Sequence, residues 1–246
     1  MKRCFASKAA LAACIVSALA GCGSVSRSPI ADAPGAAAPP FDWSEFTLPG
    51  KRRTAYTADI EHGRRVVHAR AVSSASMLRR AVRLPTEAIA GIEFSWLARS
   101  LIAEADLTAA DSADSPVRIV LAFEGDASRL SARNRMLFDL AQALTGEAPP
   151  FATLMYVWDN KVPCETVVHS ARTDRVRKIV VETGPGRVGQ WLHYRRDVRA
   201  DYRRAFGEDP GPLIGIGLMS DTDNTRSSVE ASYGEIHLLS SGIASR

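Results

Sequence analysis

Beyond residue 40, apolar and polar positions alternate with a period of two along most of the chain. Val66-Val67-His68-Ala69-Arg70-Ala71 predicts a strand, and Ile92, Phe94 and Trp96 alternate with Glu93 and Ser95 in another. Val117, Ile119, Leu121 and Phe123 share one face of a third, with Arg118 and Glu124 on the other. Leu154, Tyr156 and Trp158 alternate with Thr153, Met155 and Val157, as expected of a strand covered on both faces. Further strands are predicted over 176–182, 190–196, 213–220 and 229–239. Gly and Pro clusters punctuate them: Thr183-Gly184-Pro185-Gly186, expected to turn a hairpin, and Asp209-Pro210-Gly211-Pro212.

The period changes to 3.6 twice. Between Ser131 and Leu144, residues Met136, Leu137, Leu140, Ala141 and Leu144 fall on one helical face expected to be buried, with Gly146 as the stop. Asp197 is placed to cap a short helix burying Val198, Tyr202, Ala205 and Phe206 and ended by Gly207. Many strands and few helices, without strict alternation, predict a mainly β fold: an antiparallel β-sandwich with two inserted short helices.

The N-terminus follows different rules. Lys2, Arg3 and Lys8 precede an apolar run from Ala9 to Ala20, broken only by Ser17 and too short to span a bilayer. Leu19-Ala20-Gly21-Cys22 then resembles the cleavage site of a bacterial lipoprotein signal. The expectation is a signal peptide over 1–21, lipidation of Cys22, and a tether over 22–40 rich in Ser, Ala, Pro and Gly. A single β-sandwich domain is expected over 41–240. Gly23, where such signals carry Asp for inner-membrane retention, points to the outer membrane, with the lipid on Cys22 as the membrane contact.

Cleavage there changes the charge balance. The chain has 31 Lys and Arg against 27 Asp and Glu; without residues 1–21 it has 28 against 27. That near-neutrality supplies no electrostatic case for nucleic acid. Cys164 becomes the lone free thiol, expected to be a small buried hydrophobe beside Val162, Pro163 and Val167.

Candidate chemistry is sparse. Gly184-Pro185-Gly186-Arg187-Val188-Gly189 has the spacing of a dinucleotide fingerprint, but no helix opens within it. There is no G-x-S-x-G and no H-E-x-x-H, and the five histidines show no metal-ligand spacing. A site assembled from His68 and Asp221 remained an open alternative to strand histidines bonded to neighbours or water. The densest polar cluster is Asp221-Thr222-Asp223-Asn224-Thr225, either an Asx-stabilised turn or an oxygen-rich loop suited to Ca²⁺. Asp106, Asp111 and Asp114 form a second acidic loop. Trp158 and Trp191 are candidates for stacking a ligand, although aromatic residues on strands also fill cores.

Several phrases together resemble a bacterial family catalogued as domain of unknown function 3047. They are Ala75-Ser76-Met77-Leu78, Ala152 to Trp158, Gln190-Trp191, Asp197 to Tyr202, Ala205-Phe206-Gly207 and Ile214 to Thr225. The likeness spans 41–239 and implies membership and an envelope setting, without an activity. Gly215 to Met219, the Asp-rich loop and Tyr233-Gly234-Glu235-Ile236 are also similar to the last strands of galactose-binding-like jelly rolls. That resemblance implies a jelly-roll-like topology and a structural Ca²⁺ held by Asp221, Asp223 and Glu235. It also implies a glycan or other envelope partner, with Trp158, Trp191, Asp221, Asp223 and Asn224 as the ligand-binding candidates. The leading expectation is a non-catalytic envelope lipoprotein; the alternative is a carbohydrate hydrolase in which the two acidic loops converge on a cleft near a histidine.

Overall fold

The computed structural model describes residues 43–240, so the expected signal peptide, Cys22 and the tether lie outside the described residues. The chain runs β1 (Ser44–Thr47), β2 (Ala55–Glu61), β3 (Arg64–Val72), β4 (Ala75–Leu84), β5 (Ile89–Ala98) and β6 (Ser115–Phe123). After α1 (Ala132–Thr145) come β7 (Ala152–Asp159), β8 (Val167–His169), β9 (Val176–Thr183) and β10 (Leu192–Arg196). Following α2 (Val198–Phe206), the domain closes with β11 (Leu213–Asp221), β12 (Ser228–Tyr233) and β13 (His237–Ser240).

These strands form a mainly β fold of two sheets. One has seven strands in the order β1-β4-β11-β6-β7-β9-β8; the other has the order β10-β5-β12-β3-β2, with β13 also paired to β5. All pairs are antiparallel except β7 with β9, which is parallel and departs from the uniformly antiparallel expectation. The connection through β8 permits it, because that short strand returns antiparallel along β9.

Alternation places the core. Ile92, Phe94 and Trp96 of β5 face Ile119, Leu121, Tyr156 and Trp158 of the other sheet, all at most 3 % exposed. Each such side chain contributes about 1.5–3 kcal/mol on burial. Phe94 and Tyr156 stack across the two sheets, ring centroids 5.5 Å apart, and Phe94 also stacks on Tyr194 of β10 at 5.3 Å.

Both helices start and stop at the expected residues. The Ser131 side chain accepts from the Asn134 amide and Asp197 from the Ala200 amide, while Gly146 and Gly207 close the helices in the left-handed region. Four further expectations are corrected. Met136, Leu140 and Leu144 of α1 are more than half exposed, not buried. The helix is held by Phe138, half-buried against the core, and by polar contacts near its ends: the Asn134 amide donates to Asp174, and Arg79 pairs with Glu147 just past the C-cap. Gly184-Pro185-Gly186 does not turn a hairpin, because β9 and β10 belong to different sheets and a short 3₁₀ turn at Pro185–Arg187 joins them. The strand expected over 229–239 is interrupted at 234–236, and Cys164 is exposed rather than buried.

Candidate functional site

The interruption at Gly234 builds a concavity. β12 pairs with β3 on one side and β5 on the other as far as Tyr233, opposite Val67 and Trp96. The Gly234 amide then donates to the Ser95 carbonyl, and β13 continues along β5 alone, His237 opposite Glu93. The start of β3, Arg64 to Val66, pairs only with β2. The six-stranded sheet therefore splits beyond Gly234, and a groove of ≈ 760 Å³ opens there on its outer face. Glycine suits this crossing, since a Cβ at 234 would lie 2.2 Å from Ser95 Oγ and 3.8 Å from the Trp191 ring.

Strand parity stocks the groove. Because Phe94 and Tyr194 point inward, Glu93, Ser95, His193 and Arg195 point outward, and Trp191 stands half-buried at the start of β10. The Arg195 guanidinium lies 3.3 Å from Glu93, and His237 Nε2 lies 3.6 Å from Glu235. Farther along the same face, His68 Nδ1 bonds Ser232 Oγ at 2.9 Å, while its Nε2 lies 3.4 Å from Glu61. Below the groove, Tyr194 donates to Glu182 at 2.8 Å; burial and then that carboxylate hold its hydroxyl well above the usual tyrosine range. The lining thus combines one aromatic face, several planar donors and acceptors, and charges of both signs.

The corner that carries β10 is tightly fixed. Arg196 grips Asp201 of α2 with two bonds of 2.8 Å and reaches Glu165 with two more. Tyr156 donates to Asp201 from inside the core. The guanidinium of Arg196, then that of Arg204, pulls Glu165 down to a pKa of about 2 despite partial burial.

The acidic loops meet elsewhere. Asp114, Asp221 and Asp223 each bring a carboxylate oxygen within 4.8 Å of the others. Glu235 is not among them: it lies in the break between β12 and β13, beside His237, which corrects the expected set Asp221, Asp223 and Glu235. The three carboxylates are already served by protein donors. Asp114 accepts from the amides, side-chain amide and hydroxyl of Asn224 and Thr225; Asp221 pairs with Arg118 at 2.8 Å; Asp223 pairs with Lys51. Burial raises the Asp221 pKa to about 6, with Arg118 opposing it. With Asp221 and Asp223 each paired to a protein cation and Asp114 saturated by donors, a Ca²⁺ ion would have to compete with these partners for its oxygens. The trio instead ties the loop before β6 to the turn after β11. Nor does His68 meet Asp221; it stays among Ser232, Glu61 and Asp59.

Of the stacking candidates, Trp158 is wholly buried and its Nε1 donates to the Gly184 carbonyl, so it is a core residue with no face to offer. Trp191 lines the groove. Asp221, Asp223 and Asn224 belong to the carboxylate trio's hydrogen-bond network. Sequence reasoning missed His193, Glu93, Arg195 and His237 as a group. Their outward parity was legible, but their convergence depends on the split at Gly234.

Residues 41–237 match the family model described as Protein of unknown function (DUF3047). The chain belongs to this family. No curated protein matches it. Among solved structures, this DUF3047 member is similar to the xyloglucanase domain of NopAA, a type three effector from Sinorhizobium fredii. That match has a TM-score of 0.42 and 8 % identity, and covers 81 % of this chain and 98 % of that one. It is also similar to the family 11 carbohydrate-binding module of the cellulosomal cellulase Lic26A-Cel5E of Clostridium thermocellum, at a TM-score of 0.39 and 8 % identity, covering 82 % and 90 %. At those scores neither likeness speaks to ligand or activity.

Proposed function

We propose that the domain is a non-catalytic carbohydrate-binding module of the bacterial envelope, with its ligand in the groove beside Gly234. The groove's composition carries this reading. A half-buried indole offers a flat apolar face to a sugar ring, and Glu93, His193, Arg195 and His237 offer planar donors and acceptors to its hydroxyls. Its size suits a short glycan segment. Of the lining carboxylates, Glu93 and Glu235 are engaged with Arg195 and His237, an arrangement that orients a ligand rather than one that attacks it. The test is an envelope-glycan array probed with the purified protein and with Trp191→Ala. Saturable binding lost in the variant supports the proposal, and no binding by either protein refutes it.

The address belongs to the same proposal: cleavage before Cys22, lipid on that cysteine, and a tether over 22–40 holding the domain near the outer membrane. Radiolabelled palmitate should enter the wild-type chain and not Cys22→Ser, which should appear in the soluble fraction. Equal labelling of both would contradict the anchor.

A further inference from the structure

Behind the split in the six-stranded sheet lies a second concavity, of ≈ 640 Å³, between the two sheets. Trp43, Ile60, Val67, Leu218, Tyr233 and Ile236 give it apolar walls, with Asp59 and Arg80 also on its lining and the Arg80 guanidinium stacked over the Trp43 ring. It shares Arg65, Val66, Gly234, Glu235 and His237 with the outer groove, so the two spaces meet along one rim. The surroundings therefore change from polar and charged to apolar across the width of that rim.

Ile60, one of these walls, shows how far the space is open. It lies on the same face of β2 as Tyr56, which is 5 % exposed and packed in the core, yet Ile60 itself is 70 % exposed. A position whose parity points it inward is usually covered, and among the described residues Ile60 is left open. Ile60 extends the apolar lining out to the solvent, so the cavity and its mouth form one continuous apolar surface that a ligand chain could cover.

We propose that this cavity takes an alkyl chain, so that the ligand spanning both spaces is an amphiphile: a glycosylated lipid with its sugar in the groove and its chain between the sheets. The headgroup half rests on the carbohydrate reading above; the chain half rests on the cavity and Ile60. The apolar walls and the aliphatic stem of Arg80 supply surface to methylenes, while the polar rim keeps the glycosidic end in water. A protein tethered beside a membrane meets such molecules at high local concentration, which is consistent with the expected address.

The test uses maltose and alkyl maltosides with chains from six to twelve carbons, held below micelle formation, titrated calorimetrically into the protein. The affinity should rise about fourfold per added methylene, the equivalent of about 0.8 kcal/mol, until the cavity is full. Ile60→Asp alters an exposed position and should leave the fold intact. It should lower the affinity for decyl maltoside at least tenfold and leave any maltose binding unchanged. Ala58→Phe, which adds bulk to the cavity wall, should shorten the longest chain that still gains affinity. An affinity independent of chain length, or unaltered by Ile60→Asp, overturns the chain site. A chain-length series that persists in Trp191→Ala at full strength, with no glycan bound on the array, removes the sugar headgroup while leaving the chain site standing. Glycan binding on the array without any chain-length series does the reverse.

Discussion

Replacing Asp201 by Ala removes the centre of the network that fixes β10 against the core. Arg196 loses two 2.8 Å bonds, Arg204 loses one of 3.1 Å, and the Tyr156 hydroxyl loses its acceptor. The Asp201 side chain is 8 % exposed and that of Arg196 is 17 %, so this pair behaves as a buried one. Breaking such a pair from one side costs about 3–5 kcal/mol, because the remaining charge stays desolvated. Glu165 still pairs with Arg196, which places the expectation toward the lower end. For a domain of this size each kcal/mol shifts Tm by about 2–4 °C, so roughly 6–20 °C is expected. Urea and thermal unfolding followed by circular dichroism measure it. Tyr156→Phe should cost only about 1 kcal/mol, since no donor is orphaned. The double variant should then lose less than the two singles added together, because the orphaned hydroxyl, costing about 1–3 kcal/mol in Asp201→Ala, is absent. A loss under about 1 kcal/mol in Asp201→Ala, or strict additivity in the cycle, would refute the reasoning.

Two further predictions test the sheets themselves. Gly91→Ala should destabilise by about 1–3 kcal/mol in chemical denaturation, because the new Cβ would sit 2.5 Å from the Arg196 carbonyl oxygen, a backbone atom with little room to give. Lys178 is 6 % exposed; burial first, then neighbouring Arg118, lowers its pKa to about 8. The folded state thus holds its proton less tightly than the unfolded chain, and the wild type should gain stability as pH rises from about 8 to 10.5. Lys178→Met should be more stable at pH 7, by no more than about 3 kcal/mol, with the gain gone above pH 10.5; equal pH profiles for the two proteins would contradict this.

Much of the fold was legible because one face of nearly every strand is buried, and burial imposes the alternation seen in β3, β5, β6, β7 and β9. Caps and stops located both helices for equally local reasons: Ser131 and Asp197 bond the next turn, and Gly146 and Gly207 take the left-handed region. What escaped was non-local. β4 hides behind Arg79 and Arg80, which break the apolar alternation because one pairs with Glu147 and the other stacks over Trp43. The parallel pairing of β7 with β9 leaves no local mark. The helix α1 reads as buried on the face of Met136, Leu140 and Leu144, yet Phe138 packs on the core and polar contacts near its ends hold it with those three residues outward. The site shows the same division: Trp191 could be named from the sequence, and the company it keeps could not. Asp221 and Asp223 do come together, but each is paired with a cation distant in sequence, Arg118 and Lys51. Glu235 lies two residues past the core tyrosine Tyr233, on the other side of the split, so no sequence spacing could separate it from them.

The most direct measurement is a titration of the preferred array glycan into wild-type protein and Trp191→Ala, with heat and Tm recorded on both. The account predicts saturable binding by the wild type, at least a tenfold loss in the variant, and an unchanged Tm because Trp191 lines the groove rather than the core. Full-strength binding in Trp191→Ala would contradict it, as would the absence of any glycan ligand.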